Sequence, residues 1–341
     1  SSGTTGLPKA VEITHRGFVA NLAQFTDALR LGPDDSLLAL APFFHALGLI
    51  AVLHGALAQG ACVVTLPRFE LEAMLRALER HRVTHLIVPP PVGMALARHP
   101  VVDRYDLSSL RVLGMGAAPV SADLERACAE RLGCLVGQGY GMTESTATIA
   151  VAPLDDPESI TPGSAGVLLG GTEARVVVPE SDDALPPGDT GEIQIRGPQL
   201  MRGYRGNHEA TATTLTEDRW LRTGDLGRVE ASGEVRVVDR LKELIKFKGY
   251  QVAPAELEAL LTTHPAVQEA AVIGSPDEEA GELPKAFVVA AGELDPEELM
   301  AWVAARVAPH KRVRRVELVE AIPKNPTGKI LRRVLVERER R

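Results

Sequence analysis

The sequence predicts a large α/β domain of layered sheets and helices that includes a distorted β-barrel section, followed by a small α+β domain. Three observations predict it. Apolar residues alternate between helical and strand spacing from Phe18 to Pro91. Short alternating stretches punctuated by Gly and Pro take over past residue 160. A third region, from about Arg240, holds enough helix and strand for a separate domain of about 100 residues. A chain of 341 residues exceeds one ordinary core, in keeping with a division into residues 1–239 and 240–341.

Phe18, Val19, Leu22, Phe25 and Leu29 recur at helical spacing, and Gly32-Pro33-Asp34-Asp35 stops that helix. Ser36 to Ala41 reads as a short buried strand, residues 47–59 as a packed helix and Ala61 to Leu66 as a second strand. Leu71, Met74, Leu75 and Leu78 give an amphipathic helix, and Leu86-Ile87-Val88 runs into three prolines. Ala174 to Val178, Glu192 to Arg196 and Val235 to Val238 alternate as antiparallel strands. Beyond Arg240 come a helix (Pro254 to Thr263), strands (Glu269 to Ile273, Lys285 to Ala290), a helix (Glu297 to Val307) and a strand near Val313 to Leu318. The terminal run of Arg and Glu from Arg332 reads as a solvated helix face.

Composition excludes several classes. A net charge of −8 disfavours a dedicated nucleic-acid binder, although it permits a local polyanion site. Cys62, Cys128 and Cys134 have neither disulfide nor zinc-ligand spacing and read as reduced thiols of a cytoplasmic protein. No apolar run approaches the ~18 residues of a membrane span. The polar first residues do not form a signal peptide and read as an interior loop, so further polypeptide is expected upstream.

That loop, Ser1-Ser2-Gly3-Thr4-Thr5-Gly6-Leu7-Pro8-Lys9, carries the first chemistry. Gly3 and Gly6 let backbone N–H groups face an anion, the hydroxyls of Ser1, Ser2, Thr4 and Thr5 add donors, and Lys9 adds a point charge. Such a loop suits the β- and γ-phosphates of ATP. It is not a Walker loop, because the glycine-to-lysine spacing differs and no Ser or Thr follows Lys9. Four further motifs follow in order: Gln138-Gly139-Tyr140-Gly141-Met142-Thr143-Glu144, Thr223-Gly224-Asp225, the run from Asp239 to Gln251, and Pro323-Lys324-Asn325-Pro326-Thr327-Gly328-Lys329. Alone, Thr-Gly-Asp is a common turn and a loop lysine is a solvated charge; their order gives them weight.

The five motifs together resemble those of the adenylate-forming (ANL) superfamily, in particular its acyl-CoA synthetases and 4-coumarate–CoA ligases, and the resemblance spans nearly the whole chain. It implies that Tyr140 packs on adenine, Thr143 contacts the AMP phosphate and Glu144 holds Mg²⁺. Gln138, Gly139, Gly141 and Met142 belong to the same nucleotide segment. Gly116, Ala117 and Ala118 would line adenine on one side, with Met115, Gly141 and His45 on the acyl side. Asp225 and Arg240 would bind the ribose, and Lys242 would be the hinge of a mobile small domain. Lys246, Lys248, Gly249 and Gln251 would enter for the second half-reaction, after Lys329 has bridged carboxylate and phosphate in the first.

The implied activity is an acid:CoA ligase. A carboxylic acid reacts with ATP to give acyl-AMP and pyrophosphate, and the acyl group then passes to CoA with release of AMP. ATP, Mg²⁺ and CoA are the implied cofactor and co-substrates. A carrier-protein thiol as acceptor, a luciferase-like oxidation and a nucleotide-binding fragment without catalysis are the competing readings. Ala46-Leu47 follow His45, where plant coumarate ligases place an aromatic against the phenol ring, so the acid stays open between aliphatic and small aromatic.

Overall fold

The computed structural model describes residues 9–154, 156–325 and 328–339. They group into two compact units, one of residues 9–223 and 227–237, the other of residues 224–226 and 238–339.

The first unit opens with β1 (Val11–Glu12) and α1 (His15–Leu29). Helix α1 starts where Thr14 accepts a hydrogen bond from the Gly17 amide at 2.9 Å. Then come β2 (Ser36–Ala39), a π-helical stretch Leu47–His54, α2 (Gly55–Ala58) and β3 (Cys62–Thr65). The packed helix expected over 47–59 is thus mostly π. A Cβ on Gly48 would lie 2.4 Å from the Pro42 carbonyl oxygen, so the chain enters this stretch through a very tight approach. Next are α3 (Leu71–Arg80), β4 (His85–Val88), α4 (Pro90–Arg98), β5 (Val112–Met115), α5 (Ala122–Leu132) and β6 (Leu135–Tyr140). Ser121 caps α5 and Gly133, at φ +65°, ends it.

Strands β2 to β6 are parallel in the order β3-β2-β4-β5-β6, extended antiparallel by β7 (Ala150–Val151) and β8 (Val167–Leu168). Both faces are covered, as a parallel sheet requires. Leu38, Leu86 and Leu113 join Met74, Leu78, Leu96 and Cys128 in one core, while the neighbouring Leu37 packs with Val52 and Ala56 on the other face.

A second sheet has the order β13-β12-β10-β9, from β9 (Glu173–Val177), β10 (Gly191–Arg196), β12 (Leu221–Val229) and β13 (Val235–Arg240); β11 (Gly203–Tyr204) pairs with β1, and α6 (His208–Thr214) follows it. The barrel section is open. Among the described residues β9 and β13 remain the outer strands of this sheet, because β7 and β8 extend the large sheet instead of closing this one.

In the second unit, β14 (Ile245–Phe247), β15 (Tyr250–Val252), β16 (Val267–Asp277), β17 (Gly281–Ala290) and β18 (Arg315–Leu318) form a five-stranded sheet. Helices α7 (Pro254–Leu261) and α8 (Pro296–Ala304) close one apolar core, with Leu257, Leu261, Leu299 and Val303 fully buried. Helix α9 (Arg332–Glu339) seats Leu335 in another with Ile273 and Phe287. The terminal run is not wholly a solvated face: the Arg332 side chain is only 15% exposed, drawn in by two carboxylates. No helix among the described residues is long and apolar enough to cross a membrane.

Candidate active site

In the first unit the described predicted residues other than Lys9 fall where parallel strands end. His45 lies beyond β2, Gly116 to Pro119 directly beyond β5, and Gly141 to Glu144 directly beyond β6. The carboxyl edge of a parallel sheet is where the backbone leaves the core and loops can gather round a ligand, most readily where strand order reverses. Here the order reverses between β2 and β4.

The His45 Nδ1 accepts the Leu47 amide at 3.3 Å, and burial lowers its pKa, which favours the neutral ring with its proton on Nε2. Met115 is 1% exposed and packs within the core beneath α4, its sulfur close to Gly93. Gly116 is buried and bonded to the Val88 carbonyl at 3.2 Å, whereas Ala117 (φ +72°) and Ala118 are exposed. The Gln138 side chain grips the Val120 backbone in both directions at 3.1 Å, so its amide holds the 116–120 loop to β6.

Gly139 and Tyr140 pair with Val151 and Ala150 in β7, and Tyr140 is half-buried. Gly141 admits no side chain, since a Cβ there would stand 1.8 Å from the Ala147 carbonyl oxygen. Met142 opens the short 3₁₀ turn Thr143–Ser145, where Ser145 Oγ accepts the Met142 amide at 3.2 Å and donates to its carbonyl at 2.9 Å. The turn leaves Thr143 half-buried and Glu144 6% exposed.

Glu144 Oε1 accepts the Tyr204 hydroxyl at 2.8 Å, and the Lys9 ammonium stands 4.7 Å from the centre of the Tyr204 ring. Tyr204 thereby brings the lysine of the first motif and the carboxylate of the second to one place. Sequence reasoning missed Tyr204; a single tyrosine in a Gly-rich turn carries no signal without its partner. It also missed Asn21, whose buried amide donates to the Thr148 carbonyl at 2.8 Å and accepts the Thr148 amide at 3.0 Å, fastening the segment that follows the motif to α1. Ser1, Ser2, Gly3, Thr4, Thr5 and Gly6 lie outside the described residues. Among the described residues no group of three metal-ligating side chains forms.

The second unit gathers another set. Arg240 Nε meets Asp225 Oδ1 at 2.9 Å, with the carboxylate 3% and the guanidinium 33% exposed. Lys329 shares this charged cluster. Burial and then Arg240 hold its ammonium below the usual lysine pKa, against the opposing pull of Glu243 and Asp225. Lys242 is exposed in the short turn Leu241–Glu243. Lys246, Lys248, Gly249 and Gln251 form an exposed hairpin, with Lys248 and Gly249 at φ +47° and +84° as a type I′ turn requires.

The family described as AMP-binding enzyme matches residues 1–205, and AMP-binding enzyme C-terminal domain matches residues 256–329. 4-Coumarate–CoA ligase 2 of Oryza sativa subsp. japonica is 47% identical over 98% of this chain and 60% of its own length. 4-Coumarate–CoA ligase of Pinus taeda is 43% identical over 99% of this chain and 64% of its own. The chain thus spans less than two thirds of these relatives. Among solved structures, ATP-bound MatB from Rhodopseudomonas palustris superposes with a TM-score of 0.92 at 32% identity, over 99% of this chain and 67% of that one. An anthranilate CoA ligase in complex with anthranoyl-AMP gives 0.90 at 31% identity, over 99% and 66%. With a fold that matches theirs and a family match over more than half its residues, the chain belongs to the AMP-binding enzyme family.

Proposed function

We propose that this chain carries out the chemistry of an AMP-forming acid:CoA ligase. The observation that carries the reading is the charged cluster of Asp225, Arg240 and Lys329. A carboxylate suited to a vicinal diol and a lysine suited to two converging anions stand together, as ribose binding and adenylation both demand.

In the first half-reaction a carboxylate oxygen attacks the α-phosphorus of ATP, the phosphorus–oxygen bond to the β-phosphate breaks, and pyrophosphate leaves. Lys329 sits between the two anions. Lys9 and the loop from Ser1 to Gly6 hold the β- and γ-phosphates, Thr143 the α-phosphate, Tyr140 with residues 116–118 the adenine, and Asp225 with Arg240 the ribose. Glu144 fits Mg²⁺, a hard cation that takes one or two carboxylates beside phosphate oxygens and water, and the Tyr204 hydroxyl orients that carboxylate. When bound, the ion neutralises phosphate charge. In the second half-reaction the CoA sulfur attacks the acyl carbonyl and AMP leaves. Residues 240–341 act as the small domain, turning about Lys242 to bring Lys246, Lys248, Gly249 and Gln251 to the acyl group.

The test is incubation with ATP, Mg²⁺, CoA and a panel of acids, with AMP and acyl-CoA detected by mass spectrometry. Two relatives named for 4-coumarate put cinnamates in the panel, and the Ala46-Leu47 pair puts aliphatic acids beside them. Acid-dependent AMP with the matching acyl-CoA supports the reading and names the acid. AMP without acyl-CoA redirects it to another acceptor, such as a carrier-protein thiol. Neither product, from the chain and from any longer polypeptide containing it, leaves nucleotide binding alone.

A further inference from the structure

Arg332 is the first residue of α9, three positions beyond Lys329. Its guanidinium donates to Glu243 Oε2 at 2.7 Å, to Glu258 Oε1 and Oε2 at 2.8 and 2.7 Å, and to the Val272 carbonyl at 3.4 Å. The two carboxylate side chains are 9% and 14% exposed. One side chain therefore joins α9, the turn Leu241–Glu243, α7 and β16. A planar group with five N–H donors can serve two carboxylates and a carbonyl; an ammonium cannot reproduce that fork.

Stability does not account for the arrangement. Withdrawing one cation and two anions from water costs about as much as their attraction returns, and apolar replacements are often as stable. What the arrangement supplies is geometry. Between Lys329 and Arg332 lie only Ile330 and Leu331. The loop before them closes on itself: Asn325 N donates to the Lys329 carbonyl at 2.9 Å, Lys329 N to Asn325 Oδ1 at 2.9 Å, and Leu331 N to the Pro323 carbonyl at 2.8 Å. Lys324 pairs with Glu269 at 2.7 Å. On the other side, Asp239 accepts the amides of Arg240 at 2.7 Å and Ala255 at 2.8 Å, so the turn bearing Glu243 is itself tied to α7.

We propose that Arg332 is a positioning residue for Lys329, fixing the lysine loop to Glu243 beside the hinge and to Glu258 on α7. The inference rests on the assignment of Lys329 to adenylation. Lys329 and the residues after Lys242 then travel as one body, and the lysine enters and leaves the site in step with the hinge. The charges facing Lys329 are Arg240 and Arg332, which disfavour its ammonium, and Glu243 and Asp225, which favour it; Asp239 and Glu258 act with Glu243 on Arg332 and favour its guanidinium.

The experiment measures ATP–pyrophosphate exchange against pH, with the acid that releases most AMP in the panel, alongside thioester formation from preformed acyl-adenylate. Arg332→Met, Arg332→Lys, Glu243→Gln and Lys329→Ala are compared in the full chain. Arg332→Met and Arg332→Lys should lose about 10- to 100-fold in exchange, the scale of an ångström-sized misplacement, with thioester formation retained. Removing the Arg332 charge should move the basic limb of the exchange profile to higher pH, and removing the Glu243 charge should move it to lower pH. A purely structural role would not split the two variants in opposite directions. Glu243→Gln keeps the Arg332–Glu258 pair and so serves should Arg332→Met fail to fold. Wild-type exchange in Arg332→Met, limbs moving the same way, or equal loss in both half-reactions would overturn the inference. Wild-type exchange in Lys329→Ala would instead overturn the assignment of the lysine itself.

Discussion

Asp225 and Arg240 are neighbours in space at 2.9 Å although 15 positions apart in sequence, and the carboxylate is the more deeply buried partner. In the proposed ligase both reach the ribose. Replacing Asp225 by Asn keeps the shape and removes the charge that orders the guanidinium and accepts the diol. The loss of a charge-assisted hydrogen bond, about 1.5–3 kcal/mol, should raise the KM for ATP roughly 10- to 100-fold. Steady-state kinetics against ATP check this, with the acid KM as the internal control.

Tyr204→Phe removes only the hydroxyl that Glu144 accepts at 2.8 Å. A carboxylate with 6% exposure then loses a donor, at a cost of about 1–3 kcal/mol to its orientation. The Mg²⁺ concentration for half-maximal adenylation should rise about threefold or more. Titration of exchange with Mg²⁺ reads it directly, and an unchanged midpoint would detach Tyr204 from the proposed Mg²⁺ site.

Gly141→Ala would place a methyl group 1.8 Å from the Ala147 carbonyl oxygen and against the Ala147–Thr148 backbone, which cannot yield as a side chain would. The loop must shift, at a cost of the order of 1–3 kcal/mol or more. Adenylation should fall by at least tenfold, with a lower melting temperature. Gly133→Ala, at a position with open space and φ +65°, should be mildly destabilising and leave catalysis intact.

Glu125 supplies a prediction remote from catalysis. It is 3% exposed and burial pushes its pKa up to about 7, against hydrogen bonds from the Gly163 amide and the Gln138 side chain that pull it down. A carboxyl raised in the folded state contributes most below its unfolded pKa of 4.5, and that contribution is lost as pH rises toward about 7. Glu125→Gln should therefore flatten the stability profile across this window and gain about 3 kcal/mol over the native residue at pH 8. Denaturant unfolding at pH 5 and pH 8 tests the sign.

The sequence carried the helices and strands that show a clear period, and it carried the motif loops because glycine, threonine and acidic residues at fixed spacing are unusual locally. Asp225, Glu144 and Lys329 were legible in that way. Tyr204 and Asn21 were not, since their meaning lies in partners 60 and 127 positions away. Arg332 read as one more solvated charge because nothing local distinguishes an arginine that folds back onto Glu243 and Glu258. That the distorted barrel section stays open was not legible for a similar reason. Alternation marks a strand but not its neighbour, and β7 and β8 pair into the large sheet. The π-helical stretch at Leu47–His54 eluded periodicity because an eight-residue segment that is apolar nearly all round has no polar face to count.

The loops that leave the parallel sheet hold nearly all the chemistry proposed for the first unit, while the strands beneath them hold the core. Mutations of these two kinds face different selection. A change between Pro42 and Ala46 alters a loop that belongs to none of the apolar cores, so in the proposed ligase acid preference would drift by single steps with the fold retained. Such a scaffold lends itself to retargeting: libraries confined to that loop should yield many folded variants and a spread of acids, whereas libraries directed at Leu38, Leu86 or Leu113 should mostly yield protein that does not accumulate.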